Sequence, residues 1–491
     1  MNRPIRQLAG AVFAAFAVLT AAVTYHQVIV GPEYRDDPRN VRVATSQAGR
    51  ERGTIITADG IVVAESEADP TDPLVFRRSY PEGTLYSHVV GYSTLLFGDQ
   101  GIESTHSDDL VSYRDATISG VISAMLGGDV RPRGLRLTIE HDLQKIAHEA
   151  LGDQRGAVVA LDPTTGAVLA MVSTPDFDPN TLIGSTAGSV GDALDNDPAQ
   201  PLLNRATAAS YAPGSVFKVV TTAAALEAGV ASAGTPFPNP VELELPGSTA
   251  TISNFDGQAC GSGSEVPLST AFVNSCNTVF GMIGMEVGAT GLVGTAEAFG
   301  FNAEVPIELY SIASTIPSAE SFEFDAPGVA QSAIGQRDVL STPLQMALAA
   351  AAVANGGEIM VPYLVQEIFN SEGGIEDSTE PVLWLRATTP AAATSLSGLM
   401  EGVVTSGTGR RASVPGIRIG GKTGTAEVPG QAPHAWFVGF GPVDAEPDDP
   451  QIAIAVLVES GGDAGEAATG GTVAAPIAQQ IFAEFFGIGQ G

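Results

Sequence analysis

The stretch PGSVFKVV, Pro213 to Val220, places a serine three residues before a lysine in a chain that contains only three lysines. The proline and glycine interrupt the preceding structure, and the apolar residues and alanines that follow predict a helix as far as Ala225. Ser215 lies at the start of this helix, and Lys218 lies one turn further on. Because residues three apart share one face of a helix, the hydroxyl and the amine can meet.

This pair of side chains suits nucleophilic catalysis. A serine hydroxyl attacks a carbonyl efficiently only when a neighbouring base takes its proton. Lysine becomes such a base when burial or a nearby cation lowers its pKa, whereas arginine keeps its proton. Almost all of the 23 basic residues are arginines, so a lysine at 218 indicates a need for a neutral amine. Alone the pattern is weak, since a lysine on a solvated helix face also produces it.

Two later stretches strengthen the hypothesis of a serine nucleophile. NSCNT contains Ser275 and Asn277, and GGKTGTA contains Lys422 followed by Thr423, Gly424 and Thr425. Taken separately, the first could be a helix cap and the second a sheet edge. The three elements follow one another in this order and together contain two of the three lysines, which indicates one site.

The distribution of strands predicts an α/β fold of the α+β type, with one antiparallel sheet assembled from both ends of a domain. GAVVALDPTTGAVLAMVS, Gly156 to Ser173, is typical of a hairpin. Three more apolar runs, around residues 416–426, 434–443 and 451–460, precede a final amphipathic helix at 472–487. The long segment between them is rich in alanine helices, which we expect to flank the sheet.

The N-terminal third is expected to contain an anchor and a small module. Arg3 and Arg6 precede an apolar stretch, Leu8 to Val30, which is long enough to cross a bilayer with the arginines on the cytoplasmic side. A cleaved signal peptide is the alternative, but its apolar region is normally shorter. We expect residues 1–31 to form a tail and single transmembrane anchor, 32–134 a mainly β pedestal or dimerisation-like module, and 135–491 the catalytic domain outside the cytoplasm.

Composition excludes several functions. A formal charge of −32 without a basic cluster argues against nucleic acid as a partner. The six histidines show no metal-binding spacing, and no phosphate loop or dinucleotide fingerprint is present, so we expect neither a metal nor a cofactor. Cys260 and Cys276 are the two cysteines, and export would permit a disulfide, although two unlinked buried thiols fit the sequence equally well.

Serine-x-x-lysine, Ser-x-Asn and Lys-Thr-Gly are the three elements that identify penicillin-binding proteins. The chain resembles class B penicillin-binding proteins, single-pass D,D-transpeptidases of cell-wall synthesis, particularly their short actinobacterial form. The likeness covers nearly the whole chain, although cysteine occupies the middle of the Ser-x-Asn triplet. It also includes RGTI (52–55), GIES (101–104), LDPTTGAVLAMVSTPDFDPN (161–180), NRA (204–206) and IGQRDVLSTPLQMA (334–347).

The resemblance implies the penicillin-binding transpeptidase fold and a mechanism. Ser215 would attack the bond between two terminal D-alanines of a peptidoglycan stem peptide, with Lys218 as base. Ser275 and Asn277 would pass a proton to the leaving D-alanine. Lys422, with the hydroxyls of Thr423 and Thr425, would hold the substrate carboxylate, and Gly424 would leave space for an extended peptide beside the strand. The backbone N–H groups of Ser215 and Thr425 would form the oxyanion hole. β-Lactams would acylate Ser215 and stall there.

The resemblance also implies partners and leaves alternatives open. A membrane glycan polymerase and the cell-wall or division machinery are the expected partners. A D,D-carboxypeptidase or β-lactamase, in which water attacks the acyl-enzyme, is the nearest enzymatic alternative. A non-catalytic scaffold or β-lactam receptor that signals through the anchor is the alternative from another class.

Overall fold

The structure, a computed structural model, describes the chain except for its two ends and four internal segments. The described residues are 3–26, 51–70, 76–111, 131–446 and 449–488. Their strands are, in chain order, β1 (Ile55–Ile56), β2 (Val62–Ala68), β3 (Phe76–Ser79), β4 (Ser93–Thr94), β5 (Gly98–Asp99), β6 (Gly134–Leu137), β7 (Gly156–Leu161), β8 (Val168–Thr174), β9 (Pro236–Pro238), β10 (Glu242–Glu244), β11 (Thr251–Ser253), β12 (Glu265–Pro267), β13 (Glu358–Met360), β14 (Val365–Phe369), β15 (Ile375–Ser378), β16 (Leu383–Arg386), β17 (Gly420–Val428), β18 (Gln431–Gly441) and β19 (Ile452–Val458).

The helices of the same residues range from single turns to 22 residues. Short 3-10 turns also occur, and the one at Gly214–Phe217 directly precedes α7. The α-helices are α1 (Arg3–Thr24), α2 (Ser87–Val90), α3 (Ile102–Thr105), α4 (Ser107–Leu110), α5 (His141–Leu151), α6 (Ala187–Asp195), α7 (Lys218–Glu227), α8 (Leu268–Val273), α9 (Asn277–Ala298), α10 (Ala326–Ser332), α11 (Pro343–Ala354), α12 (Pro390–Thr405) and α13 (Ala475–Phe485).

The sheet that positions the site has five strands in the order β17-β18-β19-β7-β8, and every neighbouring pair is antiparallel. Strands from the first and last thirds of the chain meet where β19 pairs with β7, with Val456 opposite Val158. The prediction of one antiparallel sheet assembled from both ends of a domain is confirmed. β17 forms one edge of this sheet, so one side of that strand carries no further strand.

Helices cover both faces of this sheet, which explains why β19 is apolar at every position. Alternate side chains of a strand point to opposite faces. Ile454 and Val456 pack in the core formed with α5 and α13, whereas Ala455 and Leu457 pack in the core that includes α11. A strand buried on both faces reads as a continuous apolar run rather than as an alternating one.

A second sheet has six strands in the order β15-β14-β6-β1-β2-β3. β1 and β2 form a hairpin, and β6 pairs in parallel with β1. β14 and β15, which lie more than two hundred residues later in the chain, extend the sheet on the other side of β6. This sheet therefore joins the N-terminal module to the larger part of the protein.

A buried ionic cluster stabilises the N-terminal module, and we refer to Arg52, Arg78 and Glu103 as the N-terminal charge cluster. The Glu103 side chain has no exposed surface, and its two oxygens accept hydrogen bonds from Arg52 Nε, at 2.9 Å, and from Arg78 Nε. Burial by itself would raise the pKa of Glu103, but the charges of Arg78 and Arg52 outweigh burial and lower it. The carboxylate is therefore ionised between two guanidinium groups.

Helix α1 has the length and composition of a membrane anchor. It contains 22 residues with a mean hydropathy of 1.8, and none of its side chains is buried in the protein. Among the described residues, α9 is equally long but less apolar, with a mean hydropathy of 1.3, and 44% of its apolar window is buried inside the protein. The apolar patch at 28–30 and the expected boundary at residue 31 lie outside the described residues.

Candidate active site

Ser215 lies on a tight turn that the glycines around it make possible. Gly214 has a φ of +53°, a left-handed conformation that favours glycine, and it begins the 3-10 turn that leads into α7. Gly335 packs on this turn and accepts a hydrogen bond from Gly214 N, at 2.8 Å. A Cβ at Gly335 would lie 2.1 Å from the carbonyl oxygen of Gly214. Positions three apart align in a 3-10 turn, so Ser215 and Lys218 face the same side.

Ser275 lies in the short connection between α8 and α9, with an unusual φ of +62°. A disulfide between Cys260 and Cys276 fastens this connection to the loop before β12, with a Cα–Cα distance of 5.8 Å. Asn277 Nδ2 adds a hydrogen bond to the carbonyl of Ser253, at 3.0 Å. The sequence allowed either a disulfide or two unlinked thiols, and the structure contains the disulfide. Because Cys276 is the middle residue of the Ser-x-Asn triplet, the disulfide restrains the position of the triplet.

Lys218 reaches the Ser-x-Asn triplet directly. Its Nζ lies 2.7 Å from the carbonyl oxygen of Ser275, 2.7 Å from Asn277 Oδ1 and 3.3 Å from Ser275 Oγ. We expected the amine to contact the Ser215 hydroxyl, but no hydrogen bond joins these two described residues. The two acceptors closest to the Lys218 amine belong instead to Ser275 and Asn277, at the connection between α8 and α9. Sequence spacing along one helix cannot reveal partners from another segment.

Lys422 approaches the same triplet from β17. Its Nζ donates to Ser275 Oγ at 2.8 Å and to the carbonyl of Thr423 at 3.0 Å. The Ser275 hydroxyl therefore lies between the two amines, which we call the lysine pair. Rings of Phe280 and Phe272 lie beneath the pair, 5.2 Å from Lys218 Nζ and 5.8 Å from Lys422 Nζ respectively.

Burial lowers the pKa values of both amines of the lysine pair. Both side chains have no exposed surface. Burial lowers the pKa of Lys422 from 10.5 to about 7. Burial also lowers the pKa of Lys218, and the neighbouring charge of Lys422 lowers it further, well below its ordinary range. Lys218 is thus the member of the pair that is neutral first, as a general base requires.

The edge strand β17 lies against the nucleophile turn. A Cβ at Gly424 would be 2.9 Å from the carbonyl oxygen of Pro213 and 3.1 Å from a methyl of Val216. The turn therefore occupies the room that Gly424 leaves, which differs from our expectation that this room accommodates a substrate peptide. Thr423 is almost buried and its Oγ1 lies 2.6 Å from Thr408 Oγ1.

These elements surround one cleft of about 1080 Å³. Ser215, Ser275, Asn277, Thr423 and Thr425 line it, while Lys218, Lys422 and Gly424 lie buried behind its wall. The structure thus brings all eight residues of the three sequence elements together around one cavity. A substrate that enters the cleft meets a hydroxyl at 215 with the lysine pair behind it.

Several residues that hold the nucleophile turn were missed by sequence reasoning. Trp436 is fully buried in β18, and its Nε1 donates to the carbonyl of Ala212 at 3.0 Å. Glu459 accepts hydrogen bonds from Tyr211, at 2.6 Å, and from the buried Arg205, at 2.8 Å. No local sequence pattern marks these contacts, because each joins segments more than two hundred residues apart. The one available indication was a tryptophan, whose indole N–H needs an acceptor when buried, within the apolar part of β18.

Comparison with known proteins agrees with this architecture. The family model described as "Penicillin binding protein transpeptidase domain" matches residues 156–483, and "Penicillin binding protein A dimerisation domain" matches residues 52–134. Peptidoglycan D,D-transpeptidase PbpA of Mycolicibacterium smegmatis is 39% identical, over 98% of this chain and 99% of its own length.

Solved structures show the same likeness. Penicillin-binding protein A from M. tuberculosis, as its penicillin G acyl-enzyme complex, superposes with a TM-score of 0.80 and 37% identity, covering 89% of this chain and 99% of that one. Pseudomonas aeruginosa PBP2, in complex with WCK 5153, gives a TM-score of 0.73 and 29% identity, covering 89% and 95%. The fold is therefore that of the penicillin-binding transpeptidases, a class of serine acyltransferases. Within this class, the chain belongs to the family of peptidoglycan D,D-transpeptidases that includes PbpA.

Proposed function

We propose that this protein cross-links peptidoglycan stem peptides through an acyl-enzyme on Ser215, and that β-lactams acylate the same hydroxyl. The observation that carries the proposal is the position of Ser215 in a cleft whose wall contains two buried amines with lowered pKa values. The acyl-enzyme with penicillin G in the M. tuberculosis relative supports it.

Hydrogen-bond counting supports Lys218 as the base. A neutral amine has two N–H groups and one lone pair. The carbonyl of Ser275 and Asn277 Oδ1, both at 2.7 Å, accept the two N–H groups. The lone pair then remains for a hydroxyl proton, so Lys218 can take the proton of Ser215 as its oxygen attacks the substrate carbonyl.

The Ser275 hydroxyl provides a path for this proton to the leaving group. It lies 3.3 Å from Lys218 Nζ and 2.8 Å from Lys422 Nζ, and its oxygen faces the cleft. Collapse of the tetrahedral intermediate breaks the bond between the two D-alanines, and the departing amine receives the proton through Ser275. The amine of a second stem peptide then attacks the acyl-enzyme and gives its proton to Lys218. As the ester bond breaks, Lys218 passes that proton to the Ser215 oxygen, which restores the free hydroxyl.

The backbone N–H groups of Ser215 and Thr425 are proposed as the oxyanion hole, and the close packing of the nucleophile turn on β17 supports this. A Cβ at Gly214 would lie 3.0 Å from the carbonyl oxygen of Thr425, so the two backbones are nearly in contact. Donors placed in this way contribute about 3–4 kcal/mol each to transition-state stabilisation. Thr423 and Thr425, with Lys422 behind them, are proposed to bind the carboxylate of the terminal D-alanine.

We further propose that α1 is a single transmembrane anchor, with residues 32–134 as a pedestal module and residues 135–491 as the transpeptidase domain outside the cytoplasm. The apolar, unburied α1 and its two arginines support this topology. A membrane glycan polymerase is the proposed partner, since the family acts on glycan strands made at the membrane. The sheet shared by β6 and β14 supports a pedestal rigidly connected to the catalytic domain.

Mass spectrometry of the protein with penicillin G tests the function. Wild type should gain one covalent adduct on the peptide that contains Ser215, and Ser215→Ala should gain none. Persistence of the adduct in Ser215→Ala would contradict the assigned nucleophile. Rapid, catalytic loss of free penicillin would instead indicate a hydrolase, since water would then deacylate the enzyme.

A further inference from the structure

The active-site cleft contains cations that the three sequence elements do not include. Arg410 and Arg411, in the turn after α12, line it together with Thr423 and Thr425. Their neighbour Thr408 makes the 2.6 Å hydrogen bond with Thr423. The two arginines therefore lie at the Thr423 end of β17, where the proposed carboxylate would bind.

Arg410 is exposed, and its guanidinium forms no hydrogen bond or salt bridge with any described residue. Arg337, which also lines the cleft, is paired with Asp325 at 2.6 Å. Arg411 has a single long hydrogen bond, 3.4 Å, to the carbonyl of Thr472. In a chain with 55 acidic and 23 basic residues, an arginine without an acidic partner beside a cleft is available for an anionic ligand.

Lys422 is poorly placed to provide the full positive charge that a carboxylate needs. Its Nζ is buried and already donates to Ser275 Oγ and to the carbonyl of Thr423. With a pKa of about 7, the amine is protonated for only part of the time at neutral pH. A guanidinium stays charged and offers several N–H donors in a fork that matches a carboxylate.

We propose that Arg410, assisted by Arg411, binds the terminal carboxylate of the stem peptide and the corresponding carboxylate of β-lactams. This inference rests on the proposed function and adds specificity-determining residues to it. Thr423 and Thr425 supply neutral hydroxyls at the same end of the cleft, and the arginines supply the positive charge. Lys422 then serves mainly in proton transfer with Ser275.

A negative charge at the other end of β17 favours one orientation of the bound peptide. Glu427, at the irregularity that interrupts the pairing of β17 between Ala426 and Val428, also lines the cleft, as Thr423 and Thr425 do. Four residues along a strand correspond to about 13 Å. A peptide with its carboxylate near Arg410 would thus extend toward an acidic side chain.

Acylation rates measured with penicillin G and with its methyl ester test this inference, because the ester lacks the anionic carboxylate. Arg410→Gln should reduce the second-order rate with penicillin G by about tenfold, the size of one hydrogen bond to a charged group. The rate with the ester should change little. Arg410→Lys should retain part of the preference for penicillin G over its methyl ester. An Arg410→Gln/Arg411→Gln double variant should lose more than the single one.

Arg386→Gln, which removes the same charge from an exposed position paired with Glu358, is the matched control and should leave both rates unchanged. Glu427→Gln should not reduce the preference for the acid over the ester. Equal losses with both compounds in Arg410→Gln, or no loss with either, would overturn the proposal. If wild type were acylated by neither compound, the proposed function itself would have failed.

Discussion

The N-terminal charge cluster and the lysine pair each bury two basic side chains, and they treat the charge in opposite ways. In the cluster, the carboxylate of Glu103 lies between Arg52 and Arg78 and carries the opposite charge. In the pair, the hydroxyl of Ser275 occupies the middle position between Lys218 and Lys422. Every acceptor that the described residues offer to the two amines is neutral.

The difference shows how one chain uses burial for two purposes. Arginine cannot give up its proton, so burying two guanidinium groups requires a counter-ion, and the result is a fixed structural connection. Lysine can respond to burial by losing its proton, and the absence of an acid in the described surroundings lowers its pKa rather than breaking the fold. Substitutions in the cluster should therefore affect stability, and substitutions in the pair should affect chemistry.

The largest expected effect comes from Lys218→Met. Loss of the base should lower the rate of acylation by penicillin G by about 10⁴-fold or more. Methionine fills the space but leaves the carbonyl of Ser275 and Asn277 Oδ1 without a donor, which costs about 1–3 kcal/mol of unfolding free energy. Stopped-flow acylation and urea unfolding measure the two quantities. Lys145→Met, at an exposed lysine on α5, is the control, and a loss of stability without a loss of rate would remove the contrast.

The second effect is expected in the N-terminal charge cluster. Glu103→Gln leaves the buried guanidinium of Arg78 without a counter-ion and leaves Arg52 with Asp99 alone, at 3.3 Å, so it should lower the unfolding free energy by about 3–5 kcal/mol. The acylation rate of the molecules that remain folded should not change, because the cluster lies outside the cleft. Chemical unfolding followed by tryptophan fluorescence, with Glu67→Gln as an exposed control, measures this. A variant as stable as wild type would show that the carboxylate is dispensable.

The third prediction uses pH to separate the two regions. Lys422 has a pKa of about 7 in the folded protein and 10.5 as its ordinary value, so the unfolded chain binds more protons between these values. Stability should therefore rise with pH in this window, by about 1.4 kcal/mol per pH unit for one lysine. Glu103 has a lowered pKa, so its contribution is present above its unfolded pKa and is lost in acid.

Urea unfolding midpoints between pH 7.5 and pH 9.5 measure the lysine contribution. Lys422→Met should reduce the slope of this part of the curve by the share of one lysine, because Lys218, whose pKa is also lowered, still contributes. Glu103→Gln should change only the acid side. The same slope in wild type and Lys422→Met would indicate that Lys422 is not proton-depleted in the folded state.

The smallest effect is a shift of the pH–rate profile. Acylation requires a neutral Lys218, so the rate should rise with pH as this amine loses its proton. Burial is the main cause of its lowered pKa, and the charge of Lys422 is the second. Lys422→Gln removes that charge and should move the acid limb to higher pH, while Lys422→Arg should leave it in place. An unmoved limb in Lys422→Gln would contradict coupling between the two amines.

Local sequence was sufficient for the main elements because each has a periodic pattern or a strong stop signal. The hairpin of β7 and β8, the three late strands, the final helix and the helix after Ser215 were all predicted and occur in the structure. The three motifs identified the cleft because their residue types are chemically unusual in a chain so poor in lysine. The sheet shared by β6 and β14 was not predicted, since pairing between distant strands leaves no local trace.

The amino-acid sequence by itself determined which residues can do chemistry here: a hydroxyl at 215, amines at 218 and 422, and small or hydroxylated residues at the strand edge. Tertiary structure alone decided which atoms these groups meet. It placed Lys218 on the Ser275 connection, closed the disulfide at Cys276 and fastened the nucleophile turn through Trp436. The physical reason is that pKa values and hydrogen-bond partners depend on burial and on neighbours from remote segments, which exist only once the chain has folded.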